Sequence, residues 1–566
     1  MDKNTQPLSI IAGPPLEAET GLGALTLGGW LAEVCERYDA HESLVMHEAG
    51  GVTRWSYREL WLQANAVARA LLACGTGKGA RVGVLMTNRP EFLAAVFGVA
   101  LAGGVATTLS TFSTEAELSY LLEASGVSVL LFERAVLKRD FAATLAAIEP
   151  EVASSDPASF TSIKFPFLRH LAAVGGGGGA IEGWDEFLVR GRAASQERVD
   201  AAARTVTPAD PGVLFFSSGT TSKPKGILSA HRAVALQLWR WRRFYQTRED
   251  ARTWSANGFF WSGNFGMAIG GTLSSGGALI LQSTFQPEAA LELMQQERAT
   301  MAIAWPHQWE QLAAAPNFHS VDLSSLHYVG AGNALGRHPS VKTDWQEPMA
   351  AYGNTETFTI SAIFPSGTPA EVIGASHGTP QPGMVFKIVD PQTGEVTPMG
   401  ERGEIAVKGP TLMLGYLGVP QDQALDEEGY FPTGDGGYVD VLPSGEGRLF
   451  WEGRLNDIIK TGGANVSPVE IDTLLLSCPG VKACQTVGVP HDTLGELVVA
   501  CVVPHEGARL DEAAIQAFAK ASLASYKVPR RVLFFAEDEL ARTGTAKVKT
   551  ADLRALVAKR LEAEGA

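Results

Sequence analysis

YRELWLQANAVARALLAC (residues 57–74), RVGVLM (81–86), PEFLAAVFGVALAGG (90–104) and VSVLLF (127–132) follow one another as helix, strand, helix and strand. The first has apolar residues at helical spacing, and the second is a short β-rich run. Short apolar strands separated by helices are the mark of parallel strands buried on both faces. The spacing therefore predicts an α/β fold built of doubly wound lobes. A glycine run, Val174–Gly179, reads as a flexible surface loop, and the α/β rhythm resumes at VLFFSS (213–218).

Further along, the texture changes. Between about Gly383 and Phe450, short strands and turns such as FKIVDPQTGEV (386–396) predict a small β-rich subdomain. After Arg454 the order is helix (467–478), strands (485–490 and 496–504), helix (511–523) and strand (530–535). That is enough for a separate small α+β domain, so the expected division is 1–455 and 456–566. At 566 residues, more than one core is required in any case.

Composition narrows the class. Hydrophobic residues make up 45% and charged residues 19%, and the net charge of −15 argues against nucleic acid as the main partner. Cys35, Cys74, Cys478, Cys484 and Cys501 form no CxxC pair and no zinc-type spacing, which suits a reducing compartment. No basic-then-apolar leader and no uninterrupted apolar run of membrane length occur, so a cytoplasmic location without a membrane span is expected.

SSGTTSKPKG (217–226) is the most informative short segment. It follows an apolar strand and precedes a helical pattern beginning near His231. Gly219 lets backbone N–H groups turn toward an anion. The hydroxyls of Ser217, Ser218, Thr220 and Thr221 donate hydrogen bonds, and Lys225 adds positive charge. The loop suits the phosphates of a nucleotide but lacks the spacing of a P-loop NTPase. Taken alone, it is equally consistent with a hydrophilic surface loop.

Six segments taken in order change that balance. WSYREL (55–60), SSGTTSKPKG, YGNTE (352–356), YFPTGD (430–435), GRLNDIIK (453–460) and RTGTAK (542–547) together resemble the adenylate-forming superfamily, which includes acyl- and aryl-CoA synthetases. The resemblance implies an ATP-dependent acid–CoA ligase. A carboxylate attacks the α-phosphorus of ATP, pyrophosphate leaves, and coenzyme A takes the acyl group from acyl-AMP. It further implies that Tyr352 stacks on adenine within a site shared with Gly353 and Asn354, and that Thr355 contacts the α-phosphate. Glu356 holds Mg²⁺, a role for which a lone carboxylate beside phosphate oxygens is sufficient. Asp435 takes the ribose hydroxyls and Arg454 lies near ribose and phosphate. Gly330, Gly332 and Asn333 line the adenine and the reacting carboxylate.

Lys547 is the implied catalytic lysine, with Thr220 and Glu356 beside it in the first step. By position alone it would be one exposed lysine among several, Lys549 and Lys559 being others. Asn456 occupies the hinge, and Gly462 and Gly463 the segment that forms the pantetheine tunnel. The sequence departs from the family pattern at Ser222 and Ala546, where glycine is usual, and at Asn456, where Asp or Lys is more frequent.

The acid is read from NGFFWSGNFG (257–266) and WPHQW (305–309). Phe260 stands where amino-acid-activating relatives carry an aspartate for the substrate ammonium. A buried ammonium without a counter-charge is costly, so an apolar acid, fatty or aromatic, is expected. Phe260, Trp261, Phe265, Trp305 and Gly330 are the candidate acyl-binding residues. Each aromatic taken singly is as well explained by core packing.

The partners expected are the acid, ATP and CoA. An acyl or peptidyl carrier protein is the alternative acceptor, a non-catalytic nucleotide-binding relative is a weaker reading, and a homodimer is left open. The chain ends about twenty residues after Lys547, with no fused carrier domain, which favours free CoA. WRWRRF (239–244) reads as a helix face with arginines reaching to solvent rather than as a nucleic-acid surface.

Overall fold

The computed structural model describes residues 6–217, 224–348, 350–461, 464–491, 493–523, 525–539 and 550–564. They form two compact units, one of residues 13–384 and 408–429 and the other of 1–12, 385–407 and 430–566.

In the first unit, an eight-stranded sheet carries the order Ile181–Gly183, His170–Val174, Val129–Glu133, Arg81–Leu85, Val105–Thr108, Pro211–Ser217, Lys225–Ala230 and Gly415–Tyr416. The first six strands are parallel, Lys225–Ala230 runs antiparallel to Pro211–Ser217, and Gly415–Tyr416 runs antiparallel to Lys225–Ala230. Side-chain alternation feeds two cores. Val82, Val84 and Leu131 pack on the helices Tyr57–Ala73 and Pro90–Leu101. Leu85, Leu130 and Phe132 pack with Leu118, Leu121 and Leu122 of the helix Glu115–Ser125. Helices on both faces explain why these strands are apolar throughout.

WSYREL is a helix start. Ser56 and Glu59 form a capping box, and the buried Tyr57 hydroxyl donates to Leu273 O at 3.1 Å and Gly277 O at 2.7 Å. The helix Pro90–Leu101 is buried all round except at Glu91, as its uninterrupted apolar sequence requires. A second sheet, Met301–Ile303, Arg252–Ser255, Ala278–Leu281, Glu42–Glu48 and Gly51–Ser56, is parallel except for its last strand.

One sequence expectation is corrected in this unit, that for WRWRRF (239–244). The run Val174–Gly179 is an exposed surface loop, as the sequence suggests, and it contains a hydrogen-bonded turn. Gly178 N donates to Ile181 O at 2.8 Å, and Gly175, Gly176, Gly178 and Gly179 take positive φ. The helix His231–Tyr245 begins where the sequence pattern places it, and the strand Lys225–Ala230 lies between it and the phosphate loop. The arginines of WRWRRF do not simply reach for solvent. Arg240 and Glu19 form an ion pair at 2.7 Å with no exposed side-chain surface on either partner. Arg243 joins the same carboxylate, and Arg242 donates to Ser274 O at 3.1 Å.

The second unit contains a sheet ordered Ile10–Ala12, Val385–Val389, Gly403–Lys408, Phe431–Val441 and Gly447–Arg454. A second sheet is built around the long antiparallel pair Val481–His491 and Gly495–Pro504, with Arg531–Phe534 parallel to the latter. The helices Pro468–Leu476 and Glu512–Lys520 match the sequence expectation. A last helix, Thr550–Glu564, was not expected; it buries Leu553, Val557 and Leu561. All five cysteines are free thiols, and no helix among the described residues is long and apolar enough to cross a membrane.

Candidate active site

In the larger unit the phosphate loop is the connection of a β-hairpin. Ser217 pairs with Lys225 and Phe216 with Gly226, so the two ends of the loop are fixed by sheet hydrogen bonds. Ser218, Gly219, Thr220, Thr221 and Ser222 lie outside the described residues. The Lys225 ammonium sits 4.9 Å from the centroid of the Tyr416 ring, within cation–π range. Tyr416 in turn donates its hydroxyl to Glu356 Oε1 at 2.7 Å. Lys225 and Glu356, both singled out from sequence, are thus joined through a residue that was not. Its pairing with Glu356 spans 60 positions and leaves no local sequence signal.

Tyr352 is buried in the short strand Ala351–Tyr352, and its carbonyl accepts from Ser361 N at 2.8 Å. Beyond it, Asn354 Oδ1 accepts from Thr357 N at 2.9 Å and caps the single turn Thr355–Thr357. That turn presents Thr355 and Glu356 half-buried. Phe358 and Thr359 follow at φ of 47° and 82°, a costly conformation for a bulky and a β-branched residue. Gly353 makes the turn feasible, because a Cβ there would fall 1.6 Å from Thr359 O. Gly353→Ala is therefore expected to displace the Glu356 turn and lower adenylation by about 100-fold. An alanine variant with undiminished acid-dependent pyrophosphate exchange would contradict this.

The candidate acyl residues separate into three groups. Phe260 is 5% exposed, with Trp261 at 5.3 Å and Phe112 at 5.9 Å between ring centroids. Its backbone segment is pinned by Asn88, which donates to Asn257 O at 2.7 Å and accepts from Phe259 N at 2.8 Å. Phe265 is fully buried against Phe215 and Phe358, at 5.9 and 6.2 Å, and is a packing residue in this arrangement. It opens a six-residue π-helical segment, Phe265–Gly270, a local geometry frequent at functional sites.

Trp305 is 43% exposed at the start of the helix Pro306–Ala313. Gly330 and Asn333 are half-buried, Asn333 Oδ1 accepting from Gly336 N at 2.9 Å, and Gly332 is exposed. Phe112, 63% exposed, was missed because a lone loop phenylalanine carries no pattern.

In the smaller unit, Asp435 and Arg454 face one another across antiparallel strands, with Arg454 Nε 3.2 Å from Asp435 Oδ1. Arg454 also donates to Thr433 O at 2.8 Å. Asp435 is buried, whereas the arginine side chain is 55% exposed. Asn456 is exposed in the turn that follows and is not among the positive-φ residues. Next to it, burial holds the Asp457 carboxyl above its ordinary range, opposed by Arg554 and Arg454. Gly462, Gly463, Ala546 and Lys547 lie outside the described residues.

Residues 31–417 match the AMP-binding enzyme family, and 470–547 match the AMP-binding enzyme C-terminal domain. The chain belongs to the AMP-binding enzymes. It is 32% identical over 532 residues to a feruloyl-CoA synthase of Amycolatopsis sp, covering 93% of this chain and 98% of that one. It is 31% identical over 511 residues to an indoleacetate–CoA ligase of Aromatoleum aromaticum, covering 89% and 94%. The ATP-bound MatB structure from Rhodopseudomonas palustris superposes with a TM-score of 0.72 at 26% identity, over 94% and 98%.

This AMP-binding enzyme is thus an acid–CoA ligase that forms a carbon–sulfur bond with ATP, Mg²⁺ and CoA. Its donor set fits magnesium. Among the described residues Tyr416 donates to Glu356 Oε1, and one carboxylate beside phosphate oxygens is a donor set that a hard cation accepts.

Proposed function

We propose that this ligase activates an apolar carboxylic acid, aromatic in the first instance, and transfers it to CoA. The observation that carries the reading is Phe260, buried between Trp261 and Phe112 at the position where amino-acid-activating relatives place a carboxylate. An ammonium-bearing acid would meet an aromatic face there and no counter-charge. The names of the feruloyl and indoleacetate relatives favour an aromatic acid over a fatty one.

In the first half-reaction, a carboxylate oxygen bonds to the α-phosphorus as the bond to the bridging oxygen breaks and pyrophosphate leaves. In the second, the CoA thiolate attacks the acyl carbon and AMP leaves. Catalysis of the first step is chiefly positioning and charge stabilisation. We assign phosphate binding to Lys225 and the hydroxyls of Ser217, Ser218, Thr220 and Thr221, and adenine stacking to Tyr352. Ribose binding falls to Asp435, held by Arg454, and charge neutralisation at the α-phosphate to Lys547. Magnesium at Glu356 would neutralise the departing pyrophosphate. We further assign the hinge to Asn456, at a 455/456 boundary ahead of the part carrying Lys547, and the CoA arm to Gly462 and Gly463.

The test is a panel of aryl, fatty and short branched acids, scored for acyl-AMP and acyl-CoA by mass spectrometry with and without CoA. Aryl acids should give acyl-CoA most rapidly. Preference for a short polar or α-amino acid would overturn the substrate reading. A product that remains acyl-AMP under saturating CoA would shift the acceptor to a carrier-protein thiol.

A further inference from the structure

From the contacts of Gly415–Tyr416, we infer that Tyr416 is a positioning residue that fixes the carboxylate of Glu356 and the ammonium of Lys225 in register for the metal–triphosphate. This rests on the proposed roles of those two residues.

The segment is laced to both of them. Gly415–Tyr416 is the edge strand paired antiparallel with Lys225–Ala230, Tyr416 opposite Ile227 and Gly415 opposite Leu228. Leu414 N donates to Leu228 O at 2.8 Å and Leu417 N to Gly226 O at 2.7 Å. On the other side, Met413 N donates to the backbone oxygen of Glu356 at 2.7 Å. The backbone around Tyr416 therefore spans the strand that closes the phosphate loop and the turn that carries Glu356.

Its side chain repeats the link. The hydroxyl donates to Glu356 Oε1 at 2.7 Å and the ring face carries the Lys225 ammonium at 4.9 Å. A hydrogen bond to a carboxylate fixes its rotation. A ring face, unlike a second carboxylate, holds an ammonium without neutralising it. An aromatic with one hydroxyl provides both effects, and phenylalanine would provide only the second. The arrangement fixes two groups of opposite charge through one side chain.

The experiment uses the full-length enzyme and its best acid from the panel. Initial rates are measured across Mg²⁺ and ATP concentrations for wild type, Tyr416→Phe, Glu356→Gln and the double variant. Tyr416→Phe should raise the Mg²⁺ required for half-maximal rate, and the KM for ATP, by about tenfold, the scale of one lost hydrogen bond to a charged group. The KM for the acid should stay unchanged. Because the variant keeps the ring, its thermal midpoint should also stay near wild type.

The double variant should be no worse than Glu356→Gln alone, since the tyrosine acts through that carboxylate. Unaltered Mg²⁺ and ATP dependence in Tyr416→Phe, or effects that simply add in the double variant, would overturn the inference. If Glu356→Gln itself leaves the Mg²⁺ dependence at wild type, the metal-binding role of Glu356 fails, whatever Tyr416→Phe does.

Discussion

Lys547→Ala is expected to abolish acyl-AMP formation while leaving transfer of a pre-made acyl-adenylate to CoA near its normal rate. The argument begins with charge. Attack by a carboxylate on the α-phosphorus brings two negatively charged groups together, and the approach is costly unless a cation lies beside both. A lysine ammonium is a compact point charge able to serve an oxygen of each. Loss of one such preorganised charge costs on the order of 100–1,000-fold in rate.

The second half-reaction differs, because a thiolate attacks an acyl carbon whose leaving group is already activated. The same substitution should therefore cost little there. Acid-dependent pyrophosphate exchange measures the first step, and acyl-CoA yield from synthetic acyl-AMP measures the second. Near-normal exchange in the alanine variant would remove Lys547 from the mechanism. Equal loss in both steps would mean that the substitution damages the fold rather than the chemistry.

Much of the α/β architecture is legible in the sequence because it depends on local periodicity. The helix expected at residues 57–74 is Tyr57–Ala73, and the strand expected at 81–86 is Arg81–Leu85. What escapes a linear reading is pairing at long range. The strand Lys225–Ala230 contains glycine and serine and becomes a strand by hydrogen bonding to Pro211–Ser217 and Gly415–Tyr416.

Tyr416 is one tyrosine among ten until Glu356, 60 positions away, lies under its hydroxyl. Candidate aromatics divide the same way. Phe260 and Phe265 are indistinguishable in a string, yet one meets a 63% exposed Phe112 and the other is sealed between Phe215 and Phe358.

The tract at 239–244 carries the other large expected effect, on stability. Composition suggested solvated arginines, but a carboxylate more than 200 positions away is what decides the environment of Arg240. Glu19 accepts from Arg240 at 2.7 Å and from Arg243 at 2.7 Å, and Arg240 also donates to Pro382 O at 2.8 Å.

The clasp binds the segment before Thr26 to the helix His231–Tyr245, the helix entered directly from the strand that closes the phosphate loop. Glu19→Ala leaves the Arg240 charge without its partner where its side chain has no exposed surface. Breaking a buried pair in this way costs about 3–5 kcal/mol. Arg243→Ala removes a partner that is 43% exposed and should cost less than about 1 kcal/mol.

Replacing both buried partners by apolar residues of similar volume, Glu19→Leu with Arg240→Met, should recover most of the loss, because no unpaired charge remains. Trp239 and Trp241, two of the twelve tryptophans, flank Arg240, and intrinsic fluorescence during chemical denaturation gives the unfolding midpoint of each variant. A Glu19→Ala protein that unfolds at the wild-type denaturant concentration would show that the clasp contributes nothing. A double variant worse than Glu19→Ala would show that shape, rather than charge, is what the pair supplies.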